Sequence, residues 1–160
     1  MLPVFARGEV HSRLIFKIKP PLRIWHCNGI YISNYLPTMS QRILILDDDT
    51  DLLELMSMLL CDNGYETLTL SSGEKIFEAI QLFRPDLVLM DVMLAGLDGR
   101  VICSKIKCEA GLLGLRIILI SGTHNLSESL QQKGAPNDYL AKPFDMNFLL
   151  NKIKTQLTYN

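Results

Sequence analysis

A chain of 160 residues with 48% hydrophobic and 21% charged side chains has the composition of one globular domain with a sizeable core. Its net charge of −1 excludes an overall electrostatic footprint for nucleic acid or an anionic membrane. The longest apolar runs are strand-sized, well short of the roughly 20 residues that span a bilayer, and Arg7 and Glu9 interrupt any basic-then-apolar secretion signal.

Residues 1–38 differ from the rest of the chain. They hold Arg7, Arg13, Lys17, Lys19 and Arg23 against Glu9 alone, a net of +4, so the remaining 122 residues carry −5. They also contain Trp25 and the Pro20-Pro21 break, and show no sustained period of 2 or 3.6. The expectation is an irregular or disordered leader, or a mis-extended start with Met39 as the biological first residue. A basic-aromatic arm for nucleic acid or membrane is the weaker alternative.

From Met39 the pattern is ordered. Ile43-Leu44-Ile45-Leu46 is a continuous apolar run ending in Asp47-Asp48-Asp49. Thr50 is the expected cap of a helix with Leu52, Leu55, Met56, Leu59 and Leu60 on its apolar face, closed by Asn63-Gly64. Thr67–Leu70 reads as a short strand, and Ser71-Ser72-Gly73-Glu74 has capping-box spacing ahead of Ile76, Phe77, Ile80 and Phe83. Pro85 ends that helix.

Leu87-Val88-Leu89-Met90 is all apolar and runs into Asp91, after which comes the Gly96-Leu97-Asp98-Gly99 turn. A helix opening at Asp98-Gly99 turns Ile102, Cys103 and Ile106 inward, with Gly111 and Gly114 flanking its exit. Ile117–Ile120 is another apolar strand, ending in Ser121-Gly122. Residues 125–133 read as a weak helix with only Leu126 and Leu130 apolar, and so as loosely docked. Tyr139-Leu140-Ala141 is a short strand before Lys142-Pro143, and Asp145 caps a last helix carrying Met146, Leu149, Leu150, Ile153 and Leu157.

Five apolar strands alternating with five helices predict an α/β fold: a doubly wound, five-stranded parallel sheet, most simply in the order 2-1-3-4-5. Chemistry in such sheets gathers at the carboxyl ends of the strands. There the chain places Asp47 and Asp48, Asp91, Ser121 and Lys142. Three neighbouring carboxylates repel unless a cation intervenes, and a hard ion with oxygen ligands, Mg²⁺ above all, removes that cost. Lys142 and the Ser121 hydroxyl complete a site able to take a phosphoryl group onto a carboxylate. Taken singly, each residue has a blander account: the Asp47–Asp49 run as turn and cap chemistry, Asp91 as a turn opener, Lys142 as a solvated charge. Convergence on successive strand ends favours the functional account. Cys27, Cys61, Cys103 and Cys108 form no CxxC pair and have no His at ligand spacing; Cys61 and Cys103 read as buried, inert thiols suited to a reducing cytoplasm.

The segments Ile-Leu-Asp-Asp-Asp at 45–49, Leu-Met-Asp-Val-Met-Leu-Ala-Gly-Leu-Asp-Gly at 89–99, Ile-Ser-Gly at 120–122 and Asp-Tyr-Leu-Ala-Lys-Pro-Phe at 138–144 carry a resemblance. In that order and spacing, the chain from about Gln41 onward resembles a response-regulator receiver domain of two-component signalling, with a flavodoxin-like fold over residues 39–160. The resemblance implies that Asp91 accepts the phosphoryl group from a sensor histidine kinase or a histidine phosphotransfer protein. It implies Mg²⁺ held by Asp47, Asp48, Asp91 and the main-chain carbonyl of Met93. Lys142 would pair with Asp91 and then with the phosphoryl oxygens, Ser121 would move to bond them, and Tyr139 would turn inward. Pro143 is often cis in this family.

Three departures stand out: Ala95 where the family commonly has Pro, one extra residue in Gly134–Asp138, and Met93 and Thr123 two positions beyond Asp91 and Ser121. The apolar Met93 should exclude attacking water and prolong the phosphoryl group. The expected protein is a cytoplasmic switch, not an enzyme in its own right, that assists its own phosphorylation and slow dephosphorylation. With no output module after the last helix, it would act on a downstream protein through the 125–157 surface, without direct nucleic-acid or membrane contact. Two alternatives are a phosphatase of the haloacid dehalogenase type and a pseudo-receiver that only binds partners. The first wants Thr or Val four residues after its nucleophile, where this chain has Asp51, and lacks a later acidic pair; the intact Asp91, Asp48 and Lys142 argue against the second.

Overall fold

The computed structural model describes residues 40–122 and 134–158, so the leader, Thr123 and the weak helix expected at 125–133 lie outside the described residues. The sheet strands are β1 (Arg42–Leu46), β2 (Glu66–Leu70), β3 (Leu87–Asp91), β6 (Arg116–Ser121) and β7 (Asp138–Ala141). A two-residue hairpin, β4 (Met93–Leu94) and β5 (Leu97–Asp98), comes directly after β3. The helices are α1 (Thr50–Asp62), α2 (Ile76–Phe83), α3 (Gly99–Cys108) and α4 (Met146–Thr158). The sheet is parallel with the order β2-β1-β3-β6-β7, the doubly wound arrangement expected from the apolar runs.

Those runs lack polar alternation because both faces of the central strands are covered. Leu44, Leu46, Val88, Met90, Ile117 and Leu119 face one core with Ile80 and Phe83 of α2 and Ile102 and Ile106 of α3. Ile43, Ile45, Leu87, Leu89, Ile118 and Ile120 face the other with Met56 and Leu60 of α1 and Leu149 and Ile153 of α4. All five residues of β3 are buried, and the ladder sets Asp91 beside Ile120, one residue short of Ser121.

The helix starts depart from the expected ones for local reasons. The α1 cap is Asp49 rather than Thr50: its carboxylate accepts the main-chain N–H groups of Asp51 and Leu52, both at 3.0 Å. Leu55 is 51% exposed and Leu53 is buried in its stead. The stripe centres on Met56, and Leu55 lies about 100° around the helix from it. Ser72 rather than Ser71 caps the 3₁₀ turn at Gly73–Lys75 that precedes α2, because the chain is still extended at Ser72. Phe77 is only partly buried. Arg84, ahead of Pro85, ends α2 in the left-handed region at φ 50°. Asp98 caps α3 as expected, and Asp145 caps α4 by accepting from Asn147 N at 2.7 Å.

Cys103 is buried on α3, whereas Cys108 is exposed at its end. Burial pushes the Cys103 thiol up to about 11, against a small opposing pull from Lys107. At pH 8 only about one Cys103 in a thousand is then a thiolate. Alkylation with iodoacetamide at that pH, with peptide mapping afterwards, should label Cys108 readily and Cys103 only after unfolding.

Candidate functional site

The carboxyl ends of β1, β3, β6 and β7 open at one edge of the sheet, and each strand contributes a polar residue there. Asp47 leaves β1 with its main-chain N–H on Leu70 O at 3.2 Å, and its side chain is 1% exposed. Its Oδ1 accepts from Asp49 N at 3.0 Å and its Oδ2 from Lys142 Nζ at 2.8 Å. Asp91 is 4% exposed; its Oδ1 meets Lys142 Nζ at 2.9 Å and its Oδ2 accepts from Met93 N at 2.7 Å. Lys142 therefore bridges two buried carboxylates from one position beyond β7, where its main-chain N–H bonds Ser121 O at 2.7 Å. The Lys142–Pro143 peptide is cis.

That burial sets the electrostatics. Loss of water, with the neighbouring Asp47 charge, holds the Asp91 carboxyl above the ordinary carboxylate range despite Lys142 and the Met93 amide. Burial works against the Lys142 ammonium too, but the hydrogen bonds and charges of Asp47 and Asp91 outweigh it and raise its pKa above that of an ordinary lysine.

Asp48 is exposed at the mouth, and Asp47, Asp48 and Asp91 each offer a carboxylate oxygen within 4.8 Å of the others. One lysine does not neutralise three carboxylates. A hard, all-oxygen donor set of this span fits a small divalent cation such as Mg²⁺. Asp49, which the acidic run might place with its neighbours, is committed to the α1 cap. Ser121 is fully buried at the end of β6, and Tyr139 is half-buried on β7 with the Lys152 ammonium 5.7 Å from its ring centre. Met93 is 68% exposed beside the site.

Residues 43–154 match the response regulator receiver domain family. The chain belongs to that family. Among curated proteins the receiver chain is 32% identical over 125 residues to the DNA-binding response regulator MtrA of Mycobacterium tuberculosis, covering 78% of this chain and 54% of MtrA. It is 36% identical over 119 residues to the transcriptional regulatory protein YbdJ of Bacillus subtilis, covering 74% of this chain and 52% of YbdJ. It thus spans about half the length of the curated relatives it matches. Among solved structures it is similar to a CheY-like receiver domain protein of Methanospirillum hungatei, with a TM-score of 0.68, 28% identity, and 74% and 94% of the two chains covered. It is also similar to TrrA of Thermotoga maritima, solved in complex with Mg(2+)-BeF, with a TM-score of 0.65, 28% identity, and 73% and 99% covered.

One residue of the receiver site was legible in the sequence only as a helix opener. Gly99 N donates to Val92 O at 2.9 Å, and a Cβ at Gly99 would run into the Asp91 carbonyl oxygen, with the Asp91 carbonyl carbon and Val92 Cα each at 3.1 Å. The backbone that carries Asp91 thus lies directly against the start of α3. The Leu-Asp-Gly spacing hinted at a turn; only the packing reveals the close approach. Gly99→Ala should cost about 1–3 kcal/mol, as overpacking does, read as a lower urea midpoint.

Proposed function

We propose that this receiver domain is a phosphoryl-accepting switch whose acceptor is Asp91. The observation that carries the reading is the Lys142 ammonium held between the buried carboxylates of Asp47 and Asp91 beside the exposed Asp48. The Asp91 carboxylate attacks the phosphorus of a phosphohistidine on a sensor kinase or a phosphotransfer protein. The P–N bond breaks, the imidazole leaves, and an acyl phosphate forms. Mg²⁺, held by Asp47, Asp48, Asp91 and the main-chain carbonyl of Met93, would neutralise charge on the carboxylates and the phosphoryl oxygens.

Lys142 begins on the acceptor, and its ammonium tracks the negative charge onto the phosphoryl oxygens. The Met93 amide, already donating to Asp91 Oδ2, helps fix the carboxylate. The Ser121 hydroxyl moves to donate to the new group, and Tyr139 turns toward the space it leaves. The changed surface around β7 and α4 meets a downstream protein. Direct contact with DNA or a membrane is not part of this reading, since residues 39–160 carry −5. A cytoplasmic setting is in keeping with the free thiols of Cys61, Cys103 and Cys108. No helix among the described residues is long and apolar enough to cross a membrane.

Incubation with Mg²⁺ and phosphoramidate should add one phosphoryl group that is acid-stable and base-labile. Asp91→Asn should abolish it, and omission of Mg²⁺ should slow it strongly. A modification that persists in Asp91→Asn would overturn the assignment, and steady turnover of a phosphomonoester would favour the phosphatase alternative. Met93 supplies a second test. With an apolar side chain beside the acyl phosphate, wild type should lose the phosphoryl group more slowly than Met93→Asn, measured as the decay of the phosphorylated mass after donor removal. Equal decay rates would remove the role of Met93.

A further inference from the structure

The proposed chemistry needs Lys142 Nζ within hydrogen-bonding reach of two carboxylates at once, at 2.8 and 2.9 Å. Lys142 is delivered by β7, a four-residue strand at the sheet edge that pairs only with β6 among the described residues. Edge strands of that length are weakly registered unless a buried side-chain pattern fixes them. In β7 only Leu140 is buried; Asp138 and Tyr139 are intermediate and Ala141 is exposed. A slip of two residues, which keeps Leu140's face inward, would carry Lys142 about 7 Å away. Something besides apolar pattern must hold the strand.

At the opposite end of β7 from Lys142, the chain is tied by an asparagine and a lysine. Asn137 N donates to Ile117 O at 2.8 Å, and Asn137 Oδ1 accepts from Ile117 N at 2.9 Å. The side-chain carbonyl thus replaces a ladder acceptor just before β7 begins. Lys107, near the end of α3, donates to the same Asn137 Oδ1 at 2.5 Å and to Leu115 O at 2.6 Å. One ammonium therefore joins α3, the start of β6 and the start of β7. A solvated surface lysine would not give up water for two neutral acceptors. Burial, the largest influence on it, pulls the Lys107 ammonium below the ordinary lysine value. Asn137 is the last residue before β7.

We propose that Lys107 and Asn137 are positioning residues for Lys142, fixing the register of β7 so that the ammonium reaches Asp47 and Asp91. The inference rests on the reading of Asp91 as phosphoryl acceptor. Because α3 begins at Gly99 against the Asp91 carbonyl and ends at this clamp, one ten-residue helix touches the acceptor's backbone and the strand that brings its lysine.

The test uses the full chain with Mg²⁺ and phosphoramidate, at a temperature where circular dichroism finds every variant folded. Lys107→Met and Asn137→Leu should lower the phosphorylation rate constant about tenfold or more, as small misplacements of a catalytic group do. Half-saturating Mg²⁺ should not rise, because moving Lys142 takes a positive charge away from the proposed ligands Asp47 and Asp91. Asn137→Asp keeps both acceptor roles and should restore a rate near wild type. Independently of phosphorylation, the Lys142 ¹³Cε resonance should shift in the first two variants and stay in place in Asn137→Asp; Lys107→Gln serves if Lys107→Met does not fold. A purely structural role would lower thermal stability while leaving the rate per folded molecule and the Lys142 resonance unchanged, and that result overturns the proposal. Loss of Mg²⁺ affinity in parallel with rate overturns it too. Absence of phosphorylation in wild type defeats the acceptor reading itself, while the resonance still decides the clamp.

Discussion

The Lys142 ammonium between the carboxylates of Asp47 and Asp91 is the interaction on which the site depends. Both carboxylates are withdrawn from water, and an unpaired buried charge costs several kcal/mol. Lys142 compensates one negative charge of the two, and Asp48 adds another at the surface. The remaining negative potential is concentrated where a small cation would meet oxygen donors on one side and solvent on the other. A fully neutralised cluster would attract a cation far less.

That arrangement constrains the architecture. The three residues come from β1, β3 and the end of β7, so they meet only if the parallel order β2-β1-β3-β6-β7 is in register. β1 and β3 are secured by apolar side chains facing two cores, and a one-residue slip would turn every one of them the wrong way. β7 has only Leu140 buried in one core and Tyr139 half-buried against the other. Its short length leaves polar bonds at Asn137 to do what packing does elsewhere.

The acidic run after β1 divides its labour by geometry. Asp47 points inward and accepts from Asp49 N, Asp48 lies at the mouth, and Asp49 turns outward to cap α1. Three identical side chains thus serve charge pairing, the proposed cation site and helix initiation, because successive residues leaving a strand point in different directions. On the far side, α3 begins so close to Asp91 that only glycine fits at position 99.

The sequence alone determined the fold class and which residues share one sheet edge. Unalternating runs at 43–46, 87–90 and 117–120 demand strands covered on both faces, and polar residues directly after such runs land on one edge of a parallel sheet. Asp47, Asp48, Asp91, Ser121 and Lys142 were legible on that basis, since strand polarity needs no side-chain detail. What only the tertiary structure decided were matters of direction and distance. It chose Asp49 over Thr50 and Ser72 over Ser71 as caps, because a cap depends on where the backbone leaves its extended conformation. It turned Leu55 outward, because the seven Leu and Met residues of α1 exceed the stripe that one sheet face can cover. It brought Gly99 against Asp91, and Lys107 to Asn137 across 30 positions of chain, because close approach between distant segments leaves no periodicity in the sequence.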